Sequence, residues 1–183
     1  MTTPTLIVID VQRAFDDPAW GERNNPGAEA RIAQAIAGWR KRGAPVIHVR
    51  HRSEETFTPG TDAFAFKPEA QPLDGEPVIT KDVNSAFIGT DLEERLRRDG
   101  VTSVALVGLT TDHCVSTTAR MAGNLGFDTW VLGDAVATFA RTAPDGEVIP
   151  AETMHRTALA SLNGEFADVI DTETAIARMD SGA

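Results

Sequence analysis

The residues with the clearest chemical potential lie around Cys114, the one cysteine in the 183-residue chain. An apolar run over residues 104–107 that ends at Gly108 is typical of a buried parallel strand. Apolar residues then recur at helical spacing as far as Gly126, so Cys114 is predicted at or near a helix N-terminus. Unpaired N–H groups and the helix dipole at such a position favour a thiolate and can bind an oxyanion. The segment therefore predicts a nucleophile, with a small buried hydrophobic residue as the alternative.

Charged residues end two other apolar runs. Residues 5–9 form a run too short for a helix that ends at Asp10, and residues 77–80 form another that ends at Lys81. Ligands in open α/β sheets bind at the carboxyl ends of the strands, so both positions suit a functional site. The simpler alternatives are a strand that exits into solvent and an ordinary surface lysine.

The elements that must position these residues alternate along the chain as strand and helix. Predicted helices separate six predicted strands, which span residues 5–10, 45–50, 77–81, 104–108, 128–132 and 167–170. This alternation predicts an α/β fold, a three-layer α/β/α sandwich with a six-stranded, mainly parallel sheet. Residues 1–183 are expected to form a single domain. The polar residues at the strand ends should then gather at one edge of the sheet.

Composition narrows the classes of function. With 27 acidic and 17 basic residues the formal net charge is −10, which argues against a nucleic-acid or membrane partner. The sequence shows no secretory leader, membrane-spanning run or glycine-rich nucleotide-binding motif. One cysteine suits a free thiol in a reducing compartment. We therefore expect a cytoplasmic protein that acts on a small molecule.

Three motifs surround the predicted strand ends. They are Asp10-Val11-Gln12-Arg13-Ala14-Phe15, then Lys81 with Asn84-Ser85-Ala86-Phe87, and finally Gly108-Leu109-Thr110-Thr111-Asp112-His113-Cys114-Val115. In this order they resemble the isochorismatase-like cysteine hydrolases, a superfamily that includes nicotinamidases and other amide and ureide hydrolases. The similarity extends over nearly the whole chain, from Leu6 to about Ile176. It implies the Rossmann-like, isochorismatase-like hydrolase fold.

The resemblance implies a catalytic triad of Cys114, Asp10 and Lys81. Asp10 would take the thiol proton and return it to a leaving amine, while Lys81 would keep Asp10 ionised and favour the thiolate. The thiolate would attack a carbonyl group and form a thioester that water then hydrolyses. The resemblance also implies a cis peptide between Leu109 and Thr110, with the N–H groups of Thr110 and Cys114 as the oxyanion hole.

Further site residues follow from the resemblance and from position. Phe15, Trp20 and Phe87 are pocket-wall candidates by resemblance, with plain core residues as the alternative. The second predicted strand ends at Arg50, and Arg50, His51 and Arg52 would either contact a carbonyl or carboxylate group of the substrate or face solvent.

Three polar residues outside the triad have structural interpretations. Asp112 is expected to cap the helix that follows Cys114. Adjacent residues at a helix start point in different directions, so His113 is predicted to have a structural or supporting role rather than to pair with the cysteine. His155 is expected to contact a neighbouring element.

One departure from the resembled family concerns metal. Nicotinamidase-type members carry an Asp-x-His pair and further histidines after the second strand, whereas here His51 lies between Arg50 and Arg52. His48 is expected inside the strand. An imidazole flanked by two guanidinium groups is a poor ligand for a divalent cation. The sequence therefore predicts a metal-independent enzyme without a cofactor, and nicotinamide becomes a less favoured substrate.

The long segment over residues 51–76 is rich in Pro, Gly, Thr and acidic residues and contains Phe57, Phe64 and Phe66. Such loops are usually lids, binding loops or subunit contacts. The phenylalanines suggest burial at a subunit contact, and members of the resembled family commonly form dimers or tetramers. A homo-oligomer is therefore expected.

Several functions remain open on the sequence alone. The leading hypothesis is a cysteine hydrolase that cleaves the C–N bond of a small amide, ureide or related carbonyl compound through a thioester. Hydrolysis of a vinyl ether, as by an isochorismatase, and a nicotinamidase-like amidase activity are alternatives. A non-catalytic scaffold that binds a ligand or a protein is an alternative from another class.

Overall fold

The six predicted strands form one twisted sheet in the computed structural model, which describes residues 3–180. Its strands are β1 (Thr5–Ile9), β2 (Val46–His51), β3 (Val78–Lys81), β4 (Ser103–Leu109), β5 (Asp128–Ala137) and β8 (Asp168–Ile170). They are ordered β3-β2-β1-β4-β5-β8, and every neighbouring pair is parallel. The order reverses between β1 and β4, so the carboxyl ends of these two strands lie side by side at the switch point of the sheet. The predicted α/β fold is confirmed.

Helices cover both faces of the sheet. They are α1 (Ala28–Lys41), α2 (Leu92–Arg98), α3 (Ser116–Asn124), α4 (Ala151–Leu162) and α5 (Thr172–Asp180). Alternate residues of β1 enter two separate cores: Leu6 packs in the core that contains residues of α1 and α5, and Ile7 packs in the core that contains residues of α2, α3 and α4. No helix within residues 3–180 combines the length and the apolar character needed to span a bilayer.

Gly108 allows β4 to approach β1 closely at the carboxyl edge of the sheet. Its φ of 122° is accessible mainly to glycine, and a Cβ built there would lie 1.9 Å from the carbonyl oxygen of Ile9. A register shift in the pairing of β4 with β5 accompanies this close approach, between Leu106 and Gly108. The segment that follows β4 is thereby held against the end of β1.

The prediction that the fifth strand ends at Leu132 was wrong. β5 continues to Ala137 because its second half pairs with the end of β4, and the side chain of Asn25 donates to the carbonyl oxygens of Asp134 and Val136. A short antiparallel hairpin follows within the predicted loop and consists of β6 (Arg141–Thr142) and β7 (Val148–Ile149). The hydrophobic pattern of a segment does not indicate which distant parts of the chain will pair with it, so neither the longer β5 nor the hairpin could be predicted.

The long loop after β2 packs against its own chain. Phe57 and Phe66 are 7% exposed, and the guanidinium carbon of Arg50 lies 4.3 Å from the centre of the Phe64 ring. The chain itself therefore buries Phe57 and Phe66 and gives Phe64 a cationic partner, while a subunit contact at this loop stays a prediction.

Lys67 anchors this loop to the rest of the molecule through two ion pairs, of which the one with Glu29 is largely buried. Its Nζ lies 2.6 Å from Asp16 Oδ1 and 2.8 Å from Glu29 Oε1, and its side chain is 6% exposed. Arg23 donates two hydrogen bonds to the same Glu29 carboxylate, at 2.8 and 2.7 Å. Burial opposes ionisation of Glu29, but the hydrogen bonds from Arg23 and Lys67 outweigh it and lower the pKa of Glu29 to about 2.

We expect Glu29→Gln to lower the free energy of unfolding by about 2–3 kcal/mol at pH 7, because it leaves the buried Lys67 ammonium and the partly buried Arg23 guanidinium with less compensation. Since the pKa of Glu29 falls from 4.5 to about 2 on folding, its contribution is complete above pH 4.5 and is lost as the pH falls through about 2. Urea unfolding at several pH values measures this difference. The matched variant Glu165→Gln, at an exposed position, should change stability by less than about 0.5 kcal/mol. Equal stability of the two variants at pH 7 would contradict the anchoring role.

Candidate active site

Asp10, Lys81 and Cys114 meet at the carboxyl edge of the sheet. Lys81 Nζ lies 2.7 Å from Asp10 Oδ2 and 3.3 Å from Cys114 Sγ. Their exposed fractions are 0% for Asp10, 1% for Lys81 and 9% for Cys114. The ammonium group thus joins a buried carboxylate to a nearly buried thiol.

Different local structures present the three side chains. Asp10 follows β1 with a φ of 52°, a left-handed conformation that non-glycine residues adopt mainly at functional sites and turns. Lys81 is the last residue of β3. Cys114 lies in a π-helical turn (Thr111–Val115) that leads into α3, and the peptide bond between Leu109 and Thr110 is cis. Such single π-helical turns occur frequently at functional sites.

The electrostatics of the resting site favour a thiol over a thiolate, contrary to the sequence expectation. Burial, followed by the negative charge of Asp10, raises the pKa of Cys114 to about 12. Burial also raises the pKa of Asp10, although Lys81 opposes this effect. A buried site with one carboxylate, one ammonium and one thiol has no net charge, and loss of the thiol proton to solvent would leave an uncompensated anion.

Transfer of the same proton to Asp10 keeps the site neutral. The product would contain a carboxylic acid, an ammonium group and a thiolate next to that ammonium. A carboxylate with a raised pKa is also a stronger base than an exposed one. The arrangement therefore suits thiol attack coupled to proton transfer within the site.

A small cavity of about 130 Å³ opens onto these groups. Aromatic, polar and charged side chains line it: Asp10, Phe15, Trp20, His51, Phe57, Asn84, Thr110, His113, Cys114 and Arg141. The Phe15 ring lies 5.0 Å from that of Trp20 and 5.2 Å from that of Phe57, measured between centroids. The cavity is smaller than the pockets that bind drug-sized ligands, so its size suits a compact molecule.

Comparison with known proteins identifies the family of this site. Residues 4–174 match the family model described as the isochorismatase domain. An uncharacterized isochorismatase family protein of Bacillus subtilis is 48% identical over 174 residues, which cover 93% of each chain. The crystal structure of an isochorismatase-family protein from Chromobacterium violaceum superposes with a TM-score of 0.95 at 43% identity and covers 98% of this chain and 94% of that one. The chain belongs to the isochorismatase family of hydrolases.

More distant isochorismatase-family relatives include enzymes named for amide hydrolysis. A ureidoacrylate amidohydrolase of Methylobacterium radiotolerans is 28% identical over 208 residues, with 92% of this chain and 76% of that enzyme covered. The sequence-based recognition of the family is thereby confirmed, and the clustered Asp10, Lys81 and Cys114 form its triad.

The structure brings only some of the predicted pocket residues to the cavity of this isochorismatase-family member. Phe15, Trp20 and His51 line it, whereas Phe87 and Arg50 do not. Phe87 is buried in the core on the α2 and α3 face, where its ring stacks 6.0 Å from that of Phe127. Its assignment to the pocket wall was therefore wrong.

Arg50 was also wrongly assigned to the pocket. Adjacent residues of a strand point to opposite faces, so Arg50 and His51 of β2 cannot both face the cavity. Arg50 Nε instead donates to Thr80 Oγ1 at 3.1 Å, and its guanidinium group packs over Phe64. His48 lies two residues before Arg50 and therefore points to the same face of the sheet. It is buried, and its Nε2 lies 2.9 Å from Glu76 Oε2.

Four cavity residues were not predicted from the sequence. Phe57 comes from the long loop, Asn84 follows β3, His113 precedes the nucleophile, and Arg141 begins β6. Arg141 lay in a predicted loop, and no local pattern there indicates that a hairpin folds back over the site. Asn84 and His113 belong to the motifs around the predicted strand ends. Their position close to those ends was the sequence feature that could have indicated a place in the cavity.

Asp112 does not cap α3 as predicted. Its carboxylate accepts hydrogen bonds from Thr138 Oγ1 and, at 3.0 Å, from Arg141 Nε. The two hydrogen bonds connect the π-helical turn to the segment after β5. On the other side, His155 Nδ1 and Thr111 Oγ1 form a buried hydrogen bond of 3.0 Å, which links the turn to α4. The element that carries Cys114 is therefore held from both sides.

The donor atoms around the triad can be tested for a metal site. Ligand atoms of Asp10, His51 and Cys114 lie within 4.8 Å of one another, as a metal would require. However, Lys81 Nζ contacts all three, at 2.7, 2.8 and 3.3 Å respectively. The ammonium group therefore takes the position of a cation in this cluster, and a divalent ion next to it would be repelled. The donor set does not fit a metal while Lys81 is in place.

Proposed function

We propose that this protein hydrolyses the C–N bond of a small amide, ureide or related carbonyl compound through a thioester on Cys114. One observation carries the proposal: the buried ammonium of Lys81 bridges the thiol of Cys114 and the carboxylate of Asp10, two residues that line the cavity. The amide-hydrolysing relative supports the class of bond. Retention of a thiol beside a base and a cation favours acyl transfer over vinyl ether hydrolysis, which needs no sulfur nucleophile.

In the first half-reaction, the Cys114 sulfur attacks the substrate carbonyl carbon while its proton moves to Asp10. A C–S bond forms, and the carbonyl π electrons move onto oxygen. We assign the N–H groups of Thr110 and Cys114 to that oxyanion, since both residues line the cavity. The tetrahedral intermediate then expels the nitrogen, which takes the proton from Asp10, and the C–N bond breaks to leave a thioester.

In the second half-reaction, water replaces the departed amine. Asp10 takes a proton from the water as its oxygen attacks the thioester carbon. The C–S bond breaks, the acid leaves, and Asp10 returns the proton to the Cys114 sulfur. Lys81 stays within hydrogen-bond distance of both groups and offsets each negative charge in turn.

The size and lining of the cavity limit the substrate. A volume of about 130 Å³ and the three rings of Phe15, Trp20 and Phe57 favour a compact, flat acyl group. Arg141 and Asn84 add polar groups on the same cavity. The test is a panel of small aliphatic, aromatic and N-carbamoyl amides, with released ammonia measured for the wild type and for Cys114→Ala. We expect ammonia from at least one compound with the wild type alone; cleavage of vinyl ethers without any amide would contradict the proposal.

We also propose that the chain self-associates. Apolar side chains before, in and after the edge strand β3 are strongly exposed: Leu73 56%, Val78 43%, Val83 44% and Ile88 50%. Exposed apolar residues around an open sheet edge are a common basis for association. Light scattering coupled to gel filtration should give a mass of at least twice 19.6 kDa, and a monomer at micromolar concentration would contradict this part of the proposal.

A further inference from the structure

The ammonium group of Lys81 has a third partner outside the triad. His51 Nδ1 lies 2.8 Å from Lys81 Nζ, in addition to the contacts of that nitrogen with Asp10 and Cys114. An ammonium group has three N–H donors, and these three contacts employ all of them. The Lys81 side chain is 0% exposed, so water does not compete for these positions.

The contact fixes the protonation of His51. An ammonium group only donates, so Nδ1 must be the acceptor and a neutral ring must carry its proton on Nε2. Burial and the charge of Lys81 lower the pKa of His51 to about 4, which keeps the ring neutral at physiological pH. None of the described residues accepts a hydrogen bond from Nε2, while the ring lines the cavity.

The backbone of His51 is rigidly held. Gln12, a fully buried residue, accepts a hydrogen bond from His51 N at 2.7 Å and donates one to His51 O at 3.1 Å. His51 is also the direct register partner of Lys81 in the β2–β3 pair. The Phe57 ring packs against the imidazole at a centroid distance of 5.2 Å. This support is what a side chain needs if it is to position another group.

We propose that His51 is a positioning residue of the active site: through Nδ1 it holds the Lys81 ammonium between Asp10 and Cys114, and through Nε2–H it offers a hydrogen bond to the bound substrate. The second half of this statement rests on the proposed hydrolase function. The first half concerns the resting enzyme and can be tested without a substrate.

Three substitutions separate the two ring nitrogens. In His51→Asn the side-chain oxygen can take the place of Nδ1 as acceptor, but no donor replaces Nε2–H. In His51→Gln the amide reaches the position of Nε2, but no acceptor remains near Lys81. His51→Ala removes both groups and, like the Asn variant, enlarges the cavity. Circular dichroism and thermal unfolding establish that each variant is folded.

The readout of the Nδ1 contact is the second-order rate of Cys114 alkylation by iodoacetamide between pH 6 and 10. We expect His51→Asn to react within about threefold of the wild type, and His51→Ala and His51→Gln to react about tenfold more slowly, in line with the loss of one charge-assisted hydrogen bond. An Ala variant that reacts as fast as the Asn variant, or faster, would overturn the proposal, because a ring that only fills space predicts that result.

The readout of Nε2–H is hydrolysis of an amide that the wild type cleaves. His51→Asn should lose about tenfold or more in kcat/KM while its thiol reactivity is retained. Wild-type kcat/KM in the Asn variant would overturn the substrate contact. If no amide is cleaved but the alkylation rates follow the expected order, the hydrolase proposal fails and the positioning of Lys81 by His51 stands.

Discussion

Cys114→Ser is expected to lower the turnover of an amide substrate by about 10⁴-fold or more, with the fold intact. The serine hydroxyl is a much weaker acid than the thiol, and the Asp10 carboxylate is too weak a base to activate it. The hydroxyl is also smaller than the thiol and can be accommodated at a site where Cys114 is 9% exposed. Steady-state kinetics and thermal unfolding of the wild type, Cys114→Ser and Cys114→Ala measure both effects.

The two substitutions serve as controls for one another. Both should unfold near the wild-type temperature and both should be inactive, since either removes the sulfur that is acylated. Turnover of the amide by Cys114→Ser at a rate close to that of the wild type would show that the reaction does not pass through a thioester on Cys114.

Asp10→Asn is expected to lower turnover by about 10³-fold or more, because the amide cannot accept the thiol proton. It should also lower the free energy of unfolding by about 3–5 kcal/mol, since it leaves the fully buried Lys81 ammonium without its carboxylate partner. Urea unfolding and kinetics on the same preparations measure the two losses.

A double variant tests whether the loss of activity follows from the loss of stability. Asp10→Asn combined with Lys81→Met removes both members of the buried ion pair, so stability should recover most of what the single substitution loses. Activity should not recover. If the double variant regains turnover together with stability, Asp10 and Lys81 both act through the fold, and neither takes part in the chemistry.

The fold and the strand-end positions of Asp10 and Lys81 could be predicted because they depend on features that are local in sequence, whereas the triad was assigned through the resemblance to the cysteine hydrolases. Short apolar runs that end at Asp10, Lys81 and Gly108 report parallel strands, and parallel strands place their carboxyl ends at one edge. Gly108 illustrates the limit of this reasoning. It was recognised as a strand end, but its close approach to the Ile9 carbonyl requires the neighbouring strand to be known.

The rest of the site depends on side-chain direction and long-range contact. Arg50 and Phe87 do not line the cavity because neither proximity to a strand end, used for Arg50, nor resemblance, used for Phe87, fixes the face to which a side chain points. Arg141 and Phe57 reach the cavity from a hairpin and a loop whose positions are set by contacts distant in sequence. The thiolate expectation failed because a helix terminus was considered without the burial and the Asp10 charge that raise the pKa of Cys114.

The most direct test of the central claim is mass spectrometry of Cys114 during turnover. The enzyme is mixed with an amide that it cleaves, quenched in acid within one turnover and digested, and the peptide that contains Cys114 is weighed. We predict a mass increase equal to the acyl half of the substrate, located on Cys114 and absent from Cys114→Ala. Full turnover by the wild type with Cys114 unmodified at every quench time, accompanied by activity in Cys114→Ala, would contradict the thioester mechanism.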